Sequence, residues 1–226
     1  MTGVALEPWH RAFGDHVVGG SVYAVEPRLR VEAAVQLTAA NCRVHADIIL
    51  GPDDRHRGVS WDELAAIRQA APTARIDLHL IAQGNSMDTV RLAEERRAIE
   101  TAVQIGAEFI TVSTRCLSLH ATALTAARAA GTNLWLEVPP HTPGAEEPGL
   151  AIDGVLVMLI EPGTKQAANL ANLEMERLAR TVPVGVDGGV TRKIAAKCLQ
   201  LGARYTISGR DLLTVIQPHL ENIKKG

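Results

Sequence analysis

Eight short runs rich in valine and isoleucine, separated by stretches of helix-forming residues, constrain the fold of this chain more than any other feature. The runs occupy 16–22, 43–50, 75–82, 107–113, 132–138, 153–160, 182–189 and 203–209. Between them lie amphipathic segments such as WDELAAIRQAAP and TRKIAAKCLQLG, several of them ended by Gly or Pro. Runs that are nearly continuous in hydrophobicity, rather than alternating, predict parallel strands buried on both faces. Eight such repeats in 226 residues fit a (β/α)₈ TIM barrel, and fit an open doubly wound sheet less well. The stretch 139–149, PPHTPGAEEPG, reads as a loop, and DLLTVIQPHL from residue 211 as the helix after the last strand. No linker or change of composition divides the chain, so 1–226 reads as one barrel domain. The segment before Val17, with Trp9 and His10, is a candidate cover for the barrel floor.

Composition narrows the partners. The formal charge is −2, charges of both signs are interspersed, and 3% of residues are aromatic. The chain therefore lacks both the basic footprint and the stacking rings of a nucleic-acid binder. It has no apolar stretch of membrane-spanning length and no signal-peptide pattern at its start, which predicts no membrane partner and a cytoplasmic location. Cys42, Cys116 and Cys198 show no CxxC spacing and read as core thiols. A small-molecule substrate is the expectation.

In this fold the active site lies at the C-terminal ends of the strands, so polar residues interrupting those ends carry the information. His45 and Asp47, two residues apart on one strand, point to the same side. His79 and Asp187 interrupt the ends of the third and seventh runs. Two imidazoles and two carboxylates converging on one mouth make a candidate divalent-metal site with N and O ligands, compatible with Zn, Fe(II), Mn or Co. Each residue alone also fits a structural role: a hydrogen-bonded core histidine for His79, a turn former for Asp187. The Gly188-Gly189 pair and Ser208-Gly209-Arg210 follow the seventh and eighth runs, where backbone N–H groups and helix N-termini of a barrel hold phosphate. The alternative for these glycines is a tight turn.

These segments resemble the ribulose-phosphate 3-epimerase family. VHADIILG is similar to the family's HxDxMDG strand, LHLIA to its HLMV segment and PPHTP to its NPxTP loop. LVMLIEPGTKQ resembles LVMxVxPGFGGQ, VGVDGGV resembles VDGGI, and TISGR resembles the closing V-x-G-S. The resemblance implies a metal-dependent (β/α)₈ barrel that inverts C3 of a phosphorylated ketose without an organic cofactor, and a homo-oligomeric assembly. It places metal ligands at His45, Asp47, His79 and Asp187. Asp47 and Asp187 would be the catalytic pair, one removing the C3 proton and the other returning a proton from the opposite face of an enediolate stabilised by the metal. Ser21, Met158, Gly163, Gly188, Gly189, Ser208, Gly209 and Arg210 would contact substrate.

The departures surround this set. The family's MDG is Ile49-Leu50-Gly51, the methionine of HLM is Ile81, a fourth-strand histidine is Ser113, and the NPxTP asparagine is Pro139. The PGFGGQ loop is one residue shorter and the closing serine is Arg210; Lys165 and Arg210 could replace lost phosphate contacts or be surface charges. Two other readings stand beside the epimerase. One is a non-catalytic or repurposed sugar-phosphate-binding barrel. The other is a sugar-phosphate decarboxylase or aldolase, whose D-x-K-x-x-D signature this sequence lacks.

Overall fold

The computed structural model describes residues 2–51, 56–84, 87–140, 150–161, 167–171, 173 and 181–216. All eight runs form strands: β2 (Val18–Ser21), β3 (Arg43–Leu50), β5 (Ile76–Ala82), β6 (Phe109–Val112), β7 (Asn133–Val138), β8 (Gly154–Met158), β9 (Val184–Asp187) and β10 (Tyr205–Ser208). They pair in parallel in chain order, β10 pairs with β2, and β2 pairs with β3, so the sheet closes into a TIM barrel. Helices α1 (Arg30–Ala39), α2 (Trp61–Ala70), α3 (Thr89–Gln104), α4 (Thr114–Leu119), α5 (Ala121–Ala129) and α6 (Arg192–Gln200) pack outside. Each helix presents small or branched side chains to the barrel wall, as with Ala33, Ala34 and Leu37 of α1, all fully buried. Ser60 starts α2 with a capping box, in which its hydroxyl accepts from Glu63 N–H and Glu63 accepts from Ser60 N–H. Cys42, Cys116 and Cys198 are buried free thiols, as expected.

The barrel interior is filled by few, large side chains. Of the sparse aromatics, Phe109, Trp135 and Tyr205 sit together inside with Leu156, Met158 and Ile207. Phe109 and Trp135 stack at 4.6 Å, and Tyr205 meets Trp135 edge-on. Glycines on neighbouring strands leave the room: a Cβ on Gly154 would lie 2.4 Å from the Trp135 ring, and one on Gly19 2.3 Å from the Tyr205 hydroxyl. Below them Arg43 lays its guanidinium over Phe109 and pairs with Glu108. This plug supports the layer of polar side chains above it.

Three features depart from the sequence reading. β4 (His56–Gly58) folds back antiparallel on the end of β3, with Arg30 donating to Gly58 O at 2.7 Å. β1 (Gly3–Leu6) pairs antiparallel with β11 (Leu213–Ile216). The helix expected from residue 211 is therefore replaced over 213–216 by a strand, because the LTVI stretch is β-branched and finds an edge to pair with. The segment before Val17 is consequently more than a floor cover. Trp9 donates to Asp211 O just beyond β10, while His16 N–H reaches Asn41 O before β3, so the segment runs along the barrel's side from rim to floor.

Candidate metal centre

β3 and β5 are adjacent and in register, His45 opposite Asp77 and Asp47 opposite His79, so four polar side chains project from one patch of the inner wall. Asp187 ends β9, opposite Met158 of β8, and closes the group from the other side of the mouth. One ligand atom from each of His45, Asp47, His79 and Asp187 lies within 4.8 Å of the others. His45 Nε2 is 3.0 Å from Asp47 Oδ1 and 3.7 Å from Asp187 Oδ2; His79 Nδ1 is 3.5 Å from Asp47 Oδ1. Both histidines are fully buried.

The remaining ring nitrogens are committed elsewhere. His45 Nδ1 bonds to Asp77 Oδ2 at 2.7 Å, and Tyr205 donates its hydroxyl to the same oxygen at 3.0 Å. His79 Nε2 bonds to Glu137 Oε2, on β7, at 2.8 Å. An ionised carboxylate only accepts, so these nitrogens carry the protons and leave His45 Nε2 and His79 Nδ1 facing the centre. His79 Nδ1 is buried without a hydrogen-bond partner. An orphaned imidazole nitrogen beside two carboxylates fits a divalent ion of the borderline kind that mixed N/O ligands take.

The electrostatics are those of a cation site. Burial alone would depress the His45 and His79 pKa values. For His45 the Asp47 and Asp77 carboxylates outweigh it and raise the value well above the usual range; for His79 the nearby Asp47 carboxylate and the bonded Glu137 push it up to about 10. Without an ion, protons on the two inward nitrogens supply the positive charge that the carboxylates require. The two aspartates then diverge. Burial, with the neighbouring Asp47 charge and against the attraction of His45, raises Asp187 to about 6. Burial also works against ionised Asp47, but His45 and His79 overcome it and hold its carboxyl well below the usual range.

Other expected site residues fall in several places. Ser21 donates to Asp47 Oδ2 at 2.9 Å. Met158 lies beside Asp187 in the interior cluster. Gly188 takes φ +101°, a Cβ there would lie 2.7 Å from Ile160, and its N–H donates to Asp187 Oδ1 at 2.7 Å, orienting the carboxylate. Gly189 is also left-handed, at φ +65°. Ser208 is fully buried and donates its hydroxyl to Val190 O; Gly209 accepts from Leu212 and Leu213 N–H; Arg210 is exposed. Gly163 and Lys165 lie outside the described residues. The positive helix ends expected near the phosphate position are altered. β11 replaces one over its described residues, and at the other, α6, the Arg192 N–H is taken by Asp211 Oδ2 at 2.9 Å.

Asp77, Glu137 and Tyr205 had not been singled out in the sequence. Asp77 carried a usable signal, since it stands two residues before His79 and so shares its inner face. A second group, Glu95, Cys116 and His120, also brings ligand atoms within 4.8 Å. There Arg115 at 2.6 Å already neutralises the buried Glu95, and His120 bonds to it at 2.9 Å, so it reads as a structural ion pair.

Fold and polar cluster together define a (β/α)₈ barrel with a His₂Asp₂ constellation at its C-terminal mouth. The sequence profile of the ribulose-phosphate 3 epimerase family matches residues 62–213, more than half of the chain, and the protein belongs to that family. The match includes His79, Glu137 and Asp187 and begins after β3. No curated protein matches the sequence. Among solved structures, a mutant tryptophan synthase alpha-subunit from Pyrococcus furiosus is 18% identical over 88% of this chain and 89% of its own, with a TM-score of 0.59. Phosphoribosyl anthranilate isomerase from Thermus thermophilus is 16% identical over 86% and 87%, also at 0.59. At these identities the likeness is one of fold. No helix among the described residues is long and apolar enough to cross a membrane.

Proposed function

We propose that the protein is a metal-dependent epimerase that inverts C3 of a ketose phosphate. The observation that carries this reading is geometric: two aspartates from different strands, Asp47 on β3 and Asp187 on β9, converge with His45 and His79 in one buried cluster whose ligand atoms lie within 4.8 Å of one another. His45, Asp47, His79 and Asp187 would hold a divalent ion, which supplies Lewis acidity to the substrate oxygens on C2 and C3. One aspartate removes the C3 proton, and the electron pair moves toward the C2 carbonyl oxygen. The other, arriving from a different strand, returns a proton to C3 from the far side. Ser21 and the Gly188 N–H each hold one oxygen of an aspartate, which fixes the direction in which its other oxygen points.

Asp211 at the α6 N-terminus and the loss of helix over 213–216 favour a second reading, in which the barrel binds its sugar differently or without catalysis. An exchange experiment separates the two. Protein with Zn or Mn is placed in D₂O with ketopentose and ketohexose phosphates and their unphosphorylated counterparts, and the C3 proton is followed by NMR. Deuterium at C3 with accumulation of the epimer supports catalysis, and Asp187→Asn is expected to lower the rate at least ~10²-fold. Absence of exchange with every sugar despite bound metal sinks the epimerase reading.

A further inference from the structure

We propose that Glu137 is a positioning residue for the metal centre, fixing His79 as the Nε2–H tautomer so that Nδ1 faces the ion; this rests on the metal-site reading above. Glu137 touches neither Asp47 nor Asp187 among the contacts described, and its contact with the cluster is the 2.8 Å bond to His79. The geometry that permits it is specific. β6 separates β5 from β7, and His79, Thr111 and Trp135 are consecutive register partners on one face. Thr111 is short, so the imidazole passes over it to reach Glu137, two residues above Trp135. A long side chain at 111 would occupy that path. Trp135, stacked on Phe109 and fitted against Gly154, anchors the strand directly beneath the carboxylate. The partner of His79 therefore rides on a rigid support, as a ligand-orienting group requires.

The two histidines are thus held in opposite senses. Asp77 accepts a hydrogen bond from Nδ1–H of His45 and so presents Nε2, whereas Glu137 accepts from Nε2–H of His79 and so presents Nδ1. Without Glu137, the Nε2–H tautomer loses its acceptor, and the ring is free to turn its protonated nitrogen inward. Carboxylates in this outer position raise the basicity of the ligating nitrogen as well as orienting it.

Zn²⁺ affinity by chelator competition and the visible spectrum of bound Co²⁺ test the assignment on the full chain. Glu137→Ala is expected to weaken Zn²⁺ binding ~10–100-fold and to change the Co²⁺ bands. Glu137→Gln keeps an acceptor oxygen for Nε2–H and is expected to restore most of the affinity. Imidazole ¹⁵N shifts of Zn-loaded wild type give a reading independent of any variant: the expected result is metal on Nδ1 of His79 and a proton on Nε2. Metal on Nε2, or a folded Glu137→Ala protein that binds Zn²⁺ and Co²⁺ like wild type with only a lower Tm, would overturn the assignment and leave Glu137 a counter-ion. Wild type that binds neither ion overturns the metal-site reading itself, a result distinct from loss of the Glu137 effect alone.

Discussion

Gly19→Ala probes the packing that holds up the candidate metal centre. Its Cβ would lie 2.3 Å from the Tyr205 hydroxyl and 2.8 Å from two ring carbons, so the ring must move by more than ~1 Å to restore ordinary contact. Tyr205 cannot swing freely, because Trp135 meets it edge-on and Arg43 lies over its face. Overpacking of this kind costs ~1–3 kcal/mol. Displacing the hydroxyl also breaks its 3.0 Å bond to Asp77, a buried charged acceptor, which adds about 1.5–3 kcal/mol. Alanine reduces the entropy of the unfolded chain relative to glycine, which returns roughly 0.4–1 kcal/mol. The expected net destabilisation is about 2–5 kcal/mol, read by urea unfolding monitored through tryptophan fluorescence. In a Tyr205→Phe background the closest clash and the hydrogen bond are both already gone, so the same substitution should cost about 1–3 kcal/mol less. A Gly19→Ala protein within ~0.5 kcal/mol of wild type, or an equal cost in both backgrounds, would refute this account of the interior.

Three further outcomes are expected. His79, raised to about 10, and His45, also raised, bind protons more tightly folded than unfolded, so their stabilisation is complete below pH ~6.5 and is lost as pH rises toward 10. The Tm of metal-free protein should fall over that range, while the increase in Tm on adding Zn²⁺ should grow with pH because the ion displaces those protons; a flat metal-free profile would contradict the ion-pair geometry. Glu95→Ala strands Arg115 and His120 around a buried site and should cost roughly 2–4 kcal/mol in chemical denaturation, less than a wholly buried pair because the Arg115 side chain is 22% exposed. Asn41 follows α1 at φ +53°, so Asn41→Ala should lower stability by about 1 kcal/mol and Asn41→Gly should not, as thermal melts of the two variants would show.

The barrel strands were legible because each lies in a largely apolar run that can be buried on both faces, and the candidate ligands because carboxylates and imidazoles are costly inside such runs. What escaped the sequence was whatever depends on a distant partner. β4 is the polar tripeptide HRG, which has no periodicity and forms a strand only because the end of β3 extends past β2 and offers an open edge. LTVI at 213–216 suits either a buried helix or a strand, and only pairing with β1 decides it. Glu137 stands in NLWLEV, where one acidic residue near a strand end is ordinary; its role rests on Thr111 and His79, which only the pairing of β5, β6 and β7 brings near. Asp211, as a cap on α6, depends likewise on the docking of β10 beside β9.

The order in which the ligands enter the chain has a consequence for biogenesis. His45, Asp47 and His79 come from the second and third barrel strands, whereas Asp187 comes from the seventh, and the last strand, β10, must still pair with β2 to close the barrel. A chain emerging from the ribosome thus displays three candidate ligands long before the fourth exists. An ion held by all four would be retained only after β9 has docked beside β8, so metal retention would report folding of the chain through its seventh barrel strand.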